Sequence, residues 1–81
     1  MRVTVRLFAR LRDIAGSGEL QREVPENADA ETVWRSLAEQ YPSLPDYRRV
    51  VSCAVNAEYA SFTTPLRDGD EVAFLPPVSG G

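Results

Sequence analysis

Val3, Val5 and Leu7 alternate with Thr4, Arg6 and Phe8, the period-two pattern of a strand that buries one face. Ala9 to Ile14 reads as a short helical turn, and Gly16-Ser17-Gly18 favours a reversal. Alternation resumes from Glu19 to Val24 with Leu20 and Val24 inward, so the first two strands are expected to form a hairpin. Pro25-Glu26-Asn27 ends the second. Asp29 then has the chemistry of a helix N-cap, and Glu31 places negative charge in the first turn, where the helix dipole favours it. Ala30, Val33, Trp34, Leu37, Ala38 and Tyr41 recur at three- and four-residue spacing and predict one apolar stripe. Pro42 and Pro45 stop the helix.

The second half of the chain returns to strands. Val50 to Val55 is rich in β-branched residues and predicts a strand with Val51, Cys53 and Val55 on one face and Val50, Ser52 and Ala54 on the other. Asn56 suits a turn at positive φ. Tyr59 to Phe62 predicts a short strand, Arg67-Asp68-Gly69-Asp70 a turn, and Glu71 to Leu75 a last strand. The order β-β-α-β-β-β implies an α+β layer pair, a sheet of about five strands with one main helix across a face. If Val72 and Phe74 face that helix, Ala73 and Leu75 face away, near Phe8 and, by the same expectation, Tyr59 and Phe62. An apolar patch there would suit a protein partner.

Composition narrows the chemistry. Eighty-one residues make one small domain. No apolar run approaches the ~20 residues of a membrane span, and Met1-Arg2-Val3 opens directly into the alternating pattern, so neither membrane nor signal peptide is expected. The net charge of −3 argues against a nucleic-acid surface, which needs clustered basic residues, and for a neutral or basic protein partner. Histidine is absent, which excludes Ser-His, Cys-His and His-metal constellations within the chain. Cys53 is the single cysteine, so no internal disulfide forms, and a reducing cytoplasm is the expected location. A persulfide or acyl-transfer role for it competes with a simpler place in the core, which is the expectation for an unpaired cysteine in an apolar run. Asp68/Asp70 and Glu26/Asp29 lack the loop of ligands that calcium needs and are expected to be turn residues. Gly16-Ser17-Gly18 matches neither a P-loop nor a dinucleotide fingerprint. All nine basic residues are arginine. Such a chain has no side-chain amine to intercept an activated carboxyl, since a guanidinium stays protonated; codon bias or heat adaptation, a compositional drift toward arginine, explains the same fact more simply and is the expectation.

The carboxyl end is the most informative segment. Pro76-Pro77-Val78-Ser79 leads to Gly80-Gly81. The prolines favour extended geometry, and two glycines without Cβ pass through a channel too narrow for side chains. Residues 1–75 are expected to form the folded domain and 76–81 a flexible tail whose reactive group is the Gly81 carboxylate.

With Phe8-Ala9-Arg10-Leu11-Arg12 after the first strand, Ala54-Val55-Asn56 at a turn, Asp68-Gly69-Asp70-Glu71-Val72 and the Pro-Pro-Val-Ser-Gly-Gly ending, nearly the whole chain resembles the small, sulfur-carrying subunit of molybdopterin synthase. The resemblance implies a β-grasp, ubiquitin-like fold and a cycle centred on Gly81. An E1-like adenylyltransferase would activate its carboxylate with MgATP, and a sulfur-donor enzyme would convert it to a thiocarboxylate. The tail would then deliver sulfur to a cyclic pyranopterin phosphate inside the large synthase subunit, in a heterotetramer. The chain would bind no cofactor itself and would be a sulfur donor rather than a catalyst. Gly80 and Gly81 match the family's ending. Arg12, Tyr59 and Leu75 match partner-contact positions, Tyr59 in place of a more usual aliphatic residue, and Phe8 and Phe62 are added from the expected patch. Pro76, Pro77, Val78 and Ser79 would line the access channel. Alternatives are a sulfur carrier for thiamine synthesis or tRNA thiolation, a protein modifier joined to target lysines, and an interaction module with an inert tail. The Pro-Pro-Val stalk favours the pterin route.

Overall fold

The alternation in the first strand does its work in the middle of a sheet. The computed structural model describes residues 1–77, in which β1 (Arg2–Leu7) and β5 (Glu71–Leu75) pair in parallel, with Val5 opposite Val72 and Leu7 opposite Phe74. All four of these side chains are essentially inaccessible to solvent. β2 (Glu19–Glu23) pairs antiparallel with the other side of β1, and β3 (Ser52–Val55) pairs antiparallel with β5 and with β4 (Glu58–Ala60). The resulting order is β2-β1-β5-β3-β4. This mixed sheet, packed on one main helix, is the β-grasp arrangement expected from the sequence.

The main helix, α2 (Ala30–Gln40), buries Ala30, Val33, Trp34 and Leu37, the stripe that the spacing predicts. Asp29 caps it, its Oδ1 accepting from the Thr32 backbone N–H and hydroxyl, each at 2.9 Å. The core is continuous from Val3, Val5 and Leu7 through α2 to Cys53, Val72 and Phe74. Around Phe74 the aromatic side chains are stacked. Trp34 meets it edge-on at 5.1 Å, Phe62 stacks on it at 5.9 Å, and the Arg48 guanidinium lies 3.6 Å from the Phe62 ring centroid. Arg48 also grips the Glu31 carboxylate, with Nη2 to Oε1 at 2.6 Å.

Several boundaries differ from those the sequence predicts, each for a backbone reason. The segment Ala9–Ala15 is a full two-turn helix, α1, that buries Leu11 and ends at Gly16 with φ 77°, a left-handed C-cap that glycine adopts without strain. A 3₁₀ turn covers Leu44–Tyr47, and both Val50 and Val51 donate backbone N–H groups to Tyr47 O, so β3 begins at Ser52 rather than Val50. Asn56 and Ala57 both take positive φ, 50° and 71°, which closes a tight β3–β4 hairpin. β4 ends at Ala60, and the chain then turns. The expected turn at residues 67–70 is present and well tied. Asp68 Oδ1 accepts from the Arg2 N–H, and the Asp70 carboxylate accepts from the Arg67 N–H and from Asn56 Nδ2. These carboxylates do the work of turn residues, as anticipated.

The Asp29 cap yields a stability prediction. Hydrogen bonds from the Thr32 backbone N–H, then from its hydroxyl, hold the Asp29 carboxyl below its ordinary value of 3.8. A group whose pKa falls on folding contributes stability above its unfolded value and loses that contribution as pH falls through the folded one. Asp29→Ala is therefore expected to cost about 1 kcal/mol at neutral pH. Urea titrations should show the gap from the parent narrowing below about pH 4.

Candidate functional site

Strand register decides what the sheet shows to solvent. Directly paired residues share a face, so the helix-facing rows Val5–Val72–Val55 and Leu7–Phe74–Cys53 force the intervening rows outward. One outward row runs Arg6, Ala73, Ala54, Tyr59; the next pairs Leu75 with Ser52. Two alanines at the centre make a shallow floor, and larger side chains rise around it. Tyr59 is 81% exposed and Phe8 39%, and together with Leu75 and Ala57 they border an open, mainly apolar groove of about 270 Å³.

The other border is charged and self-paired. Arg6 Nη1 lies 3.5 Å from Glu71, its Nε 3.9 Å from Glu19, and its guanidinium carbon 5.7 Å from the Phe8 ring centroid. A second, more polar hollow shares Arg6 and Phe8 with this groove and is walled by Arg12 and the Gly16–Glu19 loop. The Arg12 side chain packs against Gly18, where an added Cβ would lie 3.3 Å from Arg12 Cδ. An apolar floor with a ring of aromatic and charged side chains is the composition of a protein-docking surface.

Four of the residues singled out from sequence assemble here. Phe8, Tyr59 and Leu75 line one groove, and Arg12 borders the hollow beside it. Pro76 is half-buried and Pro77 exposed where the chain leaves β5. Phe62 does not join them. It lies on the opposite side of the sheet, stacked between Phe74 and Arg48, so its expected place in the docking patch is corrected to a structural one. Val78, Ser79, Gly80 and Gly81 lie outside the described residues. Arg6, Ala54, Ala57, Glu71 and Ala73 were not singled out as site residues, except that Ala73 was placed on the outward face; register with Leu75 and Tyr59 is what reveals them.

Cys53 occupies the core position anticipated for it. It is 1% exposed, its Sγ donates to Ala60 O at 3.3 Å, and burial pushes the thiol up, outweighing the opposing effect of Arg48. Among the described residues no three His, Cys, Asp or Glu side chains gather as a metal site, and no helix is long and apolar enough to cross a membrane.

Comparison with known proteins places this geometry in a lineage. The ThiS family model matches residues 5–81. A curated relative from Chlamydomonas reinhardtii, the molybdopterin synthase sulfur carrier subunit, is 35% identical, with all of both chains covered. Among solved structures, small archaeal modifier protein 1 from Haloferax volcanii superposes with a TM-score of 0.83 at 28% identity, covering 95% of this chain and 98% of that one. A chain in the complex of subunits 1 and 2 of the molybdopterin-converting factor from Helicobacter pylori gives 0.70 at 28% identity, with all of both chains covered.

Proposed function

The chain belongs to the ThiS family, and on that premise we propose that it is a sulfur carrier of molybdenum-cofactor assembly whose cargo rides on the Gly81 carboxyl group. One geometric observation carries the reading. The groove floor includes Ala73 of β5, and β5 runs directly into Pro76 and Pro77, so a partner seated on Tyr59, Phe8 and Leu75 stands at the root of the tail. The end-to-end match to a relative named as a sulfur carrier subunit supports the same reading.

In this account an E1-like enzyme binds the chain and MgATP. The Gly81 carboxylate attacks the α-phosphorus, pyrophosphate leaves, and an acyl adenylate forms. A sulfur nucleophile supplied by a donor enzyme then displaces AMP to leave a thiocarboxylate. The carrier docks by its outer sheet face on the large synthase subunit, threads Val78 to Gly81 into that subunit's active site, and yields sulfur to a cyclic pyranopterin phosphate. The acid, base and phosphate-binding groups belong to the partner. The carrier supplies position, since a rigid root delivers a short tail to one place and positioning dominates the rate of such transfers. Phe8, Tyr59 and Leu75 make the apolar contact, Arg12 flanks it, and Pro76, Pro77, Val78 and Ser79 line the path.

A second reading draws on the named modifier among the structural relatives. The same activated carboxyl passed to a target lysine would make the chain a protein tag. Lysates supplied with ATP would then accumulate larger covalent adducts, and a pure carrier gives none.

Two outcomes follow. With a cognate activating enzyme, MgATP and a sulfur source, intact-mass spectrometry should show one terminal oxygen replaced by sulfur; a mass that stays fixed with every cognate enzyme sinks the carrier reading. Leu75→Glu should leave the circular dichroism spectrum unchanged while weakening affinity for the large subunit about tenfold or more, because a carboxylate buried in an apolar contact loses its water. Unchanged affinity by calorimetry would move the interface to another face.

A further inference from the structure

The sheet topology gives the absence of lysine a spatial meaning that composition lacks. β1 and β5 are parallel with Leu7 opposite Phe74, so both leave the sheet at the same end. Three residues past Leu7 is Arg10, exposed in the first turn of α1; three residues past Phe74 is Pro77, the last described residue of the tail. Arg6 pairs with Ala73, and Arg12 walls the hollow next to the groove. Arg10 and Arg12 thus lie on α1, at the end of the sheet from which the tail departs. From Pro77 to Gly81 the chain spans at most about 14 Å, a reach that takes in this end of the molecule.

The chain's amine and thiol are placed elsewhere. The α-amine of Met1, the one primary amine in this sequence, donates to Val24 O at 2.8 Å. It sits six residues before Leu7 on an extended strand, about 20 Å toward the far end of the sheet. Cys53 points into the core on the helix side and is 1% exposed. Hydroxyl groups lack a histidine to activate them.

We propose that Arg10 and Arg12 place positive charge at the end of the sheet where the tail begins in a form that an activated carboxyl cannot acylate, which leaves no amine or thiol acceptor among the described residues within reach of Gly81. A lysine in this zone would be a trap. Its neutral amine, having lost a proton to water, would attack the carbonyl carbon of Gly81; the C–N bond forms, the bond to AMP or to a thiol breaks, the leaving group departs with its electron pair, and the nitrogen sheds its second proton to that group or to water. Tethering raises the effective concentration of such an amine far above that of any partner in solution. Arginine keeps its proton and does not enter this reaction. The inference rests on the reading of Gly81 as an acyl-activated terminus and adds to it that the activated carboxyl is kept from the chain's own side chains, so that it reacts only with groups brought by partners.

The test uses the full chain carrying a thioester at Gly81, prepared by intein cleavage, as the parent, Arg10→Lys and Arg67→Lys. Arg67 lies at the opposite end of the sheet, in the loop whose Gly69 N–H bonds to Arg2 O. In mildly alkaline buffer, Arg10→Lys should lose the thioester about tenfold faster or more than the parent. The product should be an internal amide, one water lighter than the hydrolysed chain, mapping to position 10 and forming at a rate independent of protein concentration. Arg67→Lys should follow the parent. Equal behaviour of all three chains, or an internal amide at Met1 in the parent, overturns the inference and leaves compositional drift as the explanation. ATP–pyrophosphate exchange with the activating enzyme, run in parallel, separates the two levels. Exchange without trapping defeats this inference alone, whereas no exchange with any cognate enzyme defeats the carrier reading and the inference together.

Discussion

The parallel pairing of β1 with β5 is the constraint on which the rest of the molecule depends. Antiparallel neighbours can be joined by a tight turn, but two parallel strands require a crossover, and here it carries most of the chain, including the α2 helix that covers one face. The last strand is therefore inserted between β1 and β3 at the centre of the sheet, hydrogen-bonded on both sides. A segment leaving a central strand has a fixed point of departure, which is what the proposed delivery of one carboxyl group into another protein requires. The same pairing aligns Arg6 with Ala73, which sets the groove beside that departure point and separates it from the Met1 end of the sheet.

Packing on the opposite face reinforces the arrangement. Phe74 lies one residue before Leu75 and is held between Trp34 of α2 and Phe62 of the loop after β4. Arg48 closes this stack over Phe62 while its guanidinium binds Glu31 in the first turn of α2. The Glu31 backbone N–H in turn bonds to Phe62 O at 2.9 Å. Helix, loop and last strand are thus joined through one partly exposed cluster, whose energy comes from aromatic packing and a forked hydrogen bond more than from bare charge. Because Phe74 and Leu75 point to opposite faces, firm packing of one fixes the direction in which the other is presented.

Much of this was legible in the residue pattern, and the failures are instructive. The strict alternation of β1 and β5, the stripe of α2 and the Asp29 cap carry strong local signals, and they appear where expected. The expectation that Phe62 joins Tyr59 in the outward patch fails on strand parity. Three residues apart, the two cannot share a face of any one strand, so parity alone assigns them to opposite sides. The β-branched side chain of Val50 suggests β3, but its backbone N–H is claimed by Tyr47 O in the preceding turn, a local bond that strand propensity does not report. Ala54 and Ala73 are ordinary small residues until register brings them together as the groove floor. Pairing across strands far apart in sequence is the information that a single chain read in order does not display.

The central claim is that docking and delivery are separable, the first residing in the sheet face and the second in the terminal glycine. A chain lacking Gly81, in a reconstituted system with the activating enzyme, sulfur donor and large subunit, tests it most directly when pterin-precursor conversion and binding to the large subunit are followed together. The account predicts a folded chain that binds the large subunit about as tightly as the parent and gives no product. Full conversion by that folded, docked, shortened chain would contradict it, since sulfur would then travel by some route other than this terminus.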